Sequence, residues 1–389
     1  MTTCYDAVII GAGPVGSKAA SLLAKEFNVL VIEKKGMDKR PVQCTGLISN
    51  EVLRSSSVEP SILGRSYGAN IIFPNEKKIS IRSDEQKAVL IDRNEFDILM
   101  AEKAMDDGAE YHYSERYISH RKENGKAIVT TDKEEIEASV IIGADGHRSV
   151  TAGTITDNRP KEYVKGFQAD VLHESEDQRM ITIRVGSHIA PGFFSWEIPF
   201  GNMLRIGLCV SENNGLPAEY FKKLLEKANV NKDMIKRTYC GRIPIGGRRR
   251  TYDDNMLLIG DAAGHVKPIS GGGLQPSFKA AYSLSETVKE AFDENNFSEK
   301  FLSVYEKRWK RDIGKELRRG YRLRKMFTSL SDDELNKISE IVDKENITKI
   351  LTSGNIDHPS DLIVPVMKDP VTALRLAPFM AKAGMRSMK

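Results

Sequence analysis

Tyr5-Asp-Ala-Val-Ile-Ile10-Gly11-Ala-Gly13-Pro14-Val-Gly16 reads as an apolar strand, a glycine turn and the first residues of a helix. A second apolar run, Val29-Leu-Val-Ile-Glu33, ends in a carboxylate 20 residues after Gly13. Each glycine has its own task. Gly11 permits the tight turn, Gly13 lets the backbone approach a diphosphate, and Gly16 lets helix and strand pack closely. The helix beginning at Pro14 turns free N–H groups and its positive dipole end toward that diphosphate. Glu33 stands where a carboxylate accepts the ribose hydroxyls of an adenosine. The pattern predicts an adenine-dinucleotide site at the first strand–helix turn, with Lys34 beside Glu33 among its contacts.

Three later segments define which dinucleotide. Asn255-Met-Leu-Leu-Ile-Gly260-Asp261 is an apolar strand ending in Gly-Asp, and after a loop Gly271-Gly272-Gly273-Leu274 opens a helix with Pro276 in its first turn. This resembles the GD fingerprint of FAD-dependent oxidoreductases related to the aromatic hydroxylases. The resemblance implies that Asp261 binds the ribityl chain and that the glycine-led helix faces the flavin N1 side. Reduced flavin carries negative charge there, and a helix N-terminus stabilises it. Val140-Ile-Ile-Gly143-Ala144-Asp145-Gly146 resembles the DG motif of the same group, placed near the diphosphate. The arginine that often follows that motif is replaced by Thr151. Arg93-Asn-Glu-Phe96-Asp97 resembles the group's Arg-x-x-Phe-Asp segment, with the arginine toward the flavin; plain helix capping by Asp92 or Asn94 is the competing reading. No second GxGxxG follows a strand and no redox cysteine pair exists, which excludes the two-dinucleotide disulfide reductases.

Composition bounds the rest. A chain of 389 residues has room for several lobes, and a net charge of +4 does not call for nucleic acid. Cys4, Cys44, Cys209 and Cys240 are scattered, so we expect a reducing compartment, no disulfide framework and no metal site. We expect no signal peptide, because the first apolar run already belongs to the dinucleotide strand, and no apolar run in the sequence reaches the roughly 18 residues needed to span a bilayer. The expected location is cytoplasmic, with contact at a membrane surface left open.

The expected fold class is α/β: a Rossmann-like FAD-binding domain of the aromatic-hydroxylase type assembled from separated segments, an antiparallel-sheet substrate domain and a helical C-terminal region. The FAD segments are placed at 1–60, 88–160 and 240–298. The substrate domain takes 61–87 and 161–239, and the helical region 299–389. Strand alternation runs through 165–172, 180–185, 193–198 and 202–210, whereas 216–237 reads as helical. Ser331-Asp-Asp-Glu334 forms a capping box before another helix. Phe194-Ser-Trp196-Glu-Ile198-Pro199 reads either as an aromatic wall facing a flavin or as sheet core. A helix near 307–325 carries ten Lys or Arg and a stripe of Trp309, Ile313, Leu317 and Tyr321. It reads equally as a membrane-surface helix or as one packed by its stripe.

Taken together, these motifs resemble the geranylgeranyl reductase family of flavoproteins, which includes archaeal enzymes that saturate the isoprenoid chains of membrane lipids. The Pro41-Val-Gln-Cys44-Thr45-Gly46-Leu47 segment, the Phe194–Pro199 segment, Tyr305-Glu-Lys307 and Leu330-Ser-Asp-Asp-Glu-Leu335 narrow the resemblance beyond the glycine motifs. Two departures are Thr45-Gly46-Leu47 where relatives carry glycines after the cysteine, and Phe194 where they often carry tyrosine. The resemblance implies FAD, with Cys44, Thr45 and Gly46 near its isoalloxazine and Phe194, Trp196 and Pro199 against the substrate. It implies an isoprenoid lipid substrate and an external donor, whether NAD(P)H, a deazaflavin or a ferredoxin. Cys44 is the first candidate proton donor. Glu197 is disfavoured because alternation turns it away from Trp196, and His265 reads as solvated or capping. The competing functions are an aromatic-type monooxygenase, a flavin halogenase, and a non-catalytic electron carrier or lipid-binding flavoprotein.

Overall fold

Val8–Ile10, Val29–Ile32 and Val140–Ile142 are apolar without alternation, the pattern of strands covered on both faces. In the computed structural model, which describes residues 3–37, 43–343, 352, 357 and 370–387, these runs lie side by side in parallel. Pro41 and Val42 of the Cys44 motif lie outside the described residues. The first sheet runs β8 (Glu110–Tyr113), β2 (Val29–Glu33), β1 (Thr3–Ile10), β11 (Glu135–Gly143), β18 (Met256–Leu258) and β17 (Tyr252–Asp253). An antiparallel pair, β9 (Tyr117–Glu123) and β10 (Lys126–Thr131), leads into β11. Because β1, β2, β11 and β18 are parallel, their carboxyl ends collect Gly11, Glu33, Ala144–Gly146 and Gly260–Asp261 along one edge. That edge is where open α/β sheets bind ligands.

Helices α1 (Pro14–Leu23), α6 (Leu274–Asp293) and α7 (Glu299–Asp312) bury one face of this sheet, with Ile9, Val31, Leu284, Leu302 and Tyr305 in one apolar cluster. The second sheet runs β16 (Ile235–Ile245), β12 (Glu162–Leu172), β15 (Met203–Ser211), β14 (Phe194–Phe200), β13 (Met180–Val185), β5 (Gly68–Ile72) and β6 (Lys78–Arg82). It departs from the antiparallel expectation at one place, where β13 and β5 are parallel. The two strands are far apart in the chain, so no hairpin dictates their direction. Ala169, Val171, Ile206, Leu208 and Val210 turn to the face covered by α5 (Pro217–Lys227). By alternation Gly166, Gln168, Asp170, Arg205, Gly207 and Cys209 share the opposite face with Phe194 and Trp196.

A third, small sheet joins β3 (Leu47–Ser49), β7 (Ala88–Ile91) and β4 (Ile62–Ser66). Residues 62–66, expected in the substrate domain, thus pair with 88–91, and 240–245, expected among the FAD segments, form the end of β16 and pair with β12 of the second sheet. The helix expected over 216–237 ends at Lys227; Asn229, at φ 53°, turns the chain out and Ile235 already begins a strand.

The single helix expected over 307–325 is two helices, α7 and α8 (Gly314–Thr328), broken where Ile313 adopts φ −122° and Gly314 follows. Their stripe is interior. Trp309 and Ile313 are 8% and 4% exposed, and the Trp309 Nε1–H donates to Thr251 Oγ1 at 2.9 Å. Gly320 lets α8 press on Pro268, which a Cβ there would meet at 3.2 Å. The packed reading therefore holds, and the stripe is not available to a bilayer. Helix α9 (Asp332–Val342) begins at the expected capping box, with Ser331 Oγ accepting from the Glu334 N–H and Glu334 accepting from the Ser331 N–H. The last helix, α10 (Pro370–Ser387), packs on α9.

Candidate active site

The glycine turn has the shape its sequence requires. Gly11 sits at φ 105°, and a Cβ there would lie 2.6 Å from the Ala144 carbonyl oxygen; one on Gly16 would lie 2.0 Å from the Gly11 oxygen. Gly13, by contrast, has nothing within 4 Å of where a Cβ would stand. It caps α1 with no side-chain hydrogen bond, so the helix N-terminus opens onto clear space. Glu33 is held at the mouth of that space, its carboxylate accepting from the Ala12 and Lys35 N–H groups at 3.0 and 3.1 Å. Lys34 next to it is exposed.

Asp145 plays a different part from a free ligand. Its carboxylate accepts from Ser149 Oγ at 2.6 Å, Thr151 Oγ1 at 2.7 Å, and the Val150 and Thr151 N–H groups at 2.7 and 3.1 Å. It shapes the turn that follows β11 and starts α4 (Val150–Gly153). Gly146 beyond it, at φ 78°, leaves its Cβ direction open.

Asp261 follows β18 in a short 3-10 helix, Gly260–Ala262. Burial pushes its carboxyl up to about 6, against the pull of Arg93 and Arg248. A Cβ on Gly273 would stand 3.2 Å from Asp261 Oδ1, so the glycine keeps the carboxylate beside the N-terminus of α6, which no side chain caps. Gly271, at φ 73°, fits between Ile243 and Phe193, while Gly272 lies against Lys267.

The Cys44 loop lies between the second sheet and the small third sheet, with the start of the helix at Arg93 beside it. Gly46, at φ 78°, has room only for hydrogen: a Cβ would meet Ile91 O at 2.7 Å and Arg205 Nη1 at 3.2 Å. From the second sheet Gln168 Nε2 donates to the Cys44 carbonyl at 3.1 Å and Arg205 Nη1 to the Thr45 carbonyl at 2.6 Å. Arg205 also grips Asp170 with Nε and Nη2, at 2.7 and 3.0 Å, and the Tyr239 hydroxyl donates to Asp170 Oδ2 at 2.7 Å. On the other side stands Arg93, the first residue of α3 (Arg93–Asp106), paired with Asp97 at 2.7 Å. Burial works against its charge, yet Asp97 and Cys44 hold its pKa above the ordinary value. Asp92 caps the same helix through the Asn94 and Glu95 N–H groups, so capping and the arginine's placement coexist.

Phe194 and Trp196 are half-buried on the face toward this loop. Phe193 and Phe194 stack at 4.5 Å, and Phe194 meets Trp196 edge-on at 6.2 Å. Gly207 makes room for the indole; a Cβ there would lie 2.6 Å from Trp196 Cζ2. The indole Nε1 is buried without a hydrogen-bond partner among the described residues. Pro199, expected beside Phe194 and Trp196, falls by alternation on the other face of β14 and borders instead a narrow crevice with Leu47, Leu90 and Met180. Glu197 points away and pairs with Arg184 at 2.9 Å. His265 is neither solvated nor capping: it is fully buried, its ring edge-on to Trp309 at 4.6 Å and both nitrogens without partners among the described residues.

Sequence reading missed Gln168, Asp170, Arg205, Tyr239 and Arg248. For Gln168, Asp170 and Arg205 the available signal was polar residues interrupting otherwise apolar strands at 165–172 and 202–210, on the face alternation assigns to the site. Arg248 carries no such signal; it lies in the loop before β17 and faces Asp145 and Asp261.

The open cradle at Gly13 and the Asp261 carboxylate, which has no hydrogen-bond partner among the described residues, fit a diphosphate and a hydroxylated chain. Glu33 would hold the ribose, the α1 N-terminus the diphosphate, Asp261 the ribityl chain and the α6 N-terminus the flavin. Fold and site define an FAD-dependent oxidoreductase of the aromatic-hydroxylase class, and residues 4–187 match the family described as the FAD binding domain. Among solved structures, the geranylgeranyl bacteriochlorophyll reductase-like protein of Thermoplasma acidophilum superposes with a TM-score of 0.84 at 24% identity, over 97% of this chain and all of that one. The halogenase PltM with bound FAD reaches 0.70 at 17% identity, covering 97% of this chain and 85% of the other. The digeranylgeranylglycerophospholipid reductase of Methanothrix thermoacetophila is 30% identical over 369 residues, 90% of this chain and 94% of the relative. That of Methanocaldococcus jannaschii is 30% identical over 352 residues, 86% and 90% of the two chains. The chain belongs to the digeranylgeranylglycerophospholipid reductase family, and its cofactor is FAD.

Proposed function

We propose that this protein saturates isoprenoid, geranylgeranyl-type double bonds of a membrane lipid or its precursor. The kinship with digeranylgeranylglycerophospholipid reductases across nine-tenths of the chain carries the reading. The aromatic wall of Phe194 and Trp196 beside the Cys44 loop agrees with it.

An isolated trisubstituted alkene is unactivated, so hydride addition needs prior or concerted protonation at the less substituted carbon, which builds tertiary cation character. FAD, when bound and reduced, would supply the hydride. The alkene gains that hydride at one carbon and a proton at the other. Phe193, Phe194 and Trp196 exclude water and place the chain. Cys44 Sγ holds the proton, with the thiol fixed because Gln168 and Arg205 clamp the carbonyls of Cys44 and Thr45. An external donor, whether NAD(P)H, a deazaflavin or a ferredoxin, would supply the electrons.

The test is anaerobic. Dithionite-reduced protein is mixed with a geranylgeranyl lipid in detergent, and flavin reoxidation is followed together with hydrogen added to the lipid by mass. Reoxidation with mass gain is the expected result; reoxidation only on admitting oxygen, with oxygen added to an aromatic co-substrate, moves the protein to the monooxygenases. Cys44→Ala should slow the anaerobic step by about 10²-fold or more if the thiol delivers the proton.

A further inference from the structure

Helix α10 (Pro370–Ser387) has two apolar faces, and only one of them is covered. Leu376 and Ala383, 9% and 1% exposed, pack with Phe379 and Met380 against Ile338, Ile341 and Val342 of α9. The opposite side carries Leu374, Pro378, Ala381 and Met385, spaced four, three and four residues apart and therefore on one stripe. All four are exposed; Leu374 is 77% and Met385 60% accessible. Leu374 is the most exposed large hydrophobic side chain among the described residues.

The helix is firmly seated, so the outward stripe is not a frayed end. Lys382 and Arg386 both pair with Glu334, at 3.1 and 2.8 Å, Arg386 also donates to the Ser329 carbonyl at 3.0 Å, and Ser329 Oγ donates to the Ala383 carbonyl. Arg375 flanks the stripe together with Lys382 and Arg386, of which the last two are already paired with Glu334, and residues 370–387 contain no Asp or Glu. The neighbouring α8 adds exposed Lys315, Arg318, Arg322 and Lys325. An outward apolar stripe, a cationic flank and no acidic residue are the features of a helix lying in a lipid–water interface. A second copy fits this face less well, because a two-fold contact would set the same cations against each other. No helix among the described residues is long and apolar enough to cross a membrane, so the contact is with a surface.

We propose that α10 seats the protein on an anionic bilayer, with Leu374, Pro378, Ala381 and Met385 entering the acyl boundary. The purpose of this contact rests on the lipid-reductase reading, but its existence is tested apart from turnover. FAD-loaded protein is co-sedimented with phosphatidylglycerol or phosphatidylcholine vesicles at low and high salt, alongside Leu374→Glu/Met385→Glu and a control, Leu216→Glu, at an exposed site on another surface. The expected result is binding to the anionic vesicles, weakened by salt, lost at least tenfold in the double variant and kept in the control. Failure of the native protein to bind anionic vesicles at low salt overturns the proposal, as does equal binding by the double variant. A native dimer that the double variant dissolves overturns it in favour of a second copy. Anaerobic reduction of detergent-dispersed lipid should be unchanged in the double variant. Vesicle binding without any lipid reduction sinks the functional reading and leaves the surface standing; the converse does the reverse.

Discussion

Arg205 donates its Nη1–H to the Thr45 carbonyl at 2.6 Å while its other nitrogens hold both oxygens of Asp170. A residue of the substrate-side sheet thereby sets the backbone next to Cys44, which belongs to the cofactor side. The pair is nearly buried, so removing one partner strands a charge; Arg205→Ala should cost about 3–5 kcal/mol. Arg205→Lys keeps the charge but reaches only one of its two partners, because a point ammonium lacks the guanidinium fork. We expect that variant to fold and to alkylate Cys44 with iodoacetamide several-fold faster, mapped by peptide mass. An unchanged Cys44 rate in a folded Lys variant would show that the loop is held without Arg205.

Gly207 decides where Trp196 lies. A methyl group there would sit 2.4 Å from the Gln168 Cβ and 2.6 Å from the indole. Gly207→Ala should cost about 1–3 kcal/mol through overpacking and force the indole off the sheet. Since Gln168 also holds the Cys44 carbonyl, alkene reduction should fall more than stability does. Tryptophan fluorescence reads the movement, because the other tryptophan, Trp309, is buried elsewhere. Native-like emission with normal turnover would remove the wall from the site.

Asp261 should make FAD binding depend on pH. Burial raises its pKa to about 6 in the free protein, whereas hydroxyl donors prefer the ionised carboxylate. FAD affinity should therefore rise as pH climbs through 6 and level off above it. The same raised value means that the cofactor-free protein loses stability as pH rises through that range. Asp261→Asn should flatten the affinity profile and weaken binding about tenfold or more, the scale of a hydrogen bond to a charged group. Isothermal titration of cofactor-free protein at pH 5 and 7.5 checks both.

What could be read from the chain divides by the range of the physics. Gly11, Gly16 and Gly46 are dictated by backbone contacts, which no other residue type satisfies, and the first two announce themselves by spacing. Glu33 and Asp261 were legible because parallel strands bring their carboxyl ends to one edge, so each motif's position follows from its strand. Arg205, Asp170 and Gln168 were hidden because their meaning depends on which strands pair; alternation gave their face but not what covers it. The stripe through Trp309 and Tyr321 was seen, but its cover was not. That cover comes from Thr251, Pro268 and Ile243, far away in sequence. The break at Ile313 had a local signal in Gly314 that the strength of the stripe outweighed.

His265 should set the acid sensitivity of the fold. The ring is fully buried between the GD loop and α7, and both nitrogens lack partners among the described residues. Burial pushes its pKa down to about 3, so it is neutral in the native state near pH 7. An unfolded histidine titrates near its ordinary value of about 6.5. Its depressed native value therefore gives stability that is fully present above that pH. Between about pH 6.5 and 3 the unfolded chain takes up a proton that the native state refuses, and stability falls by up to about 1.4 kcal/mol per pH unit. His265→Met fills a similar space, offers sulfur to the edge of Trp309 and removes the titration. Urea unfolding of both proteins at pH 7.5 and 5 separates the terms: the variant should lose less stability on acidification than the native protein. Equal losses would place the acid-sensitive group elsewhere, because no other effect of the substitution changes the number of protons taken up.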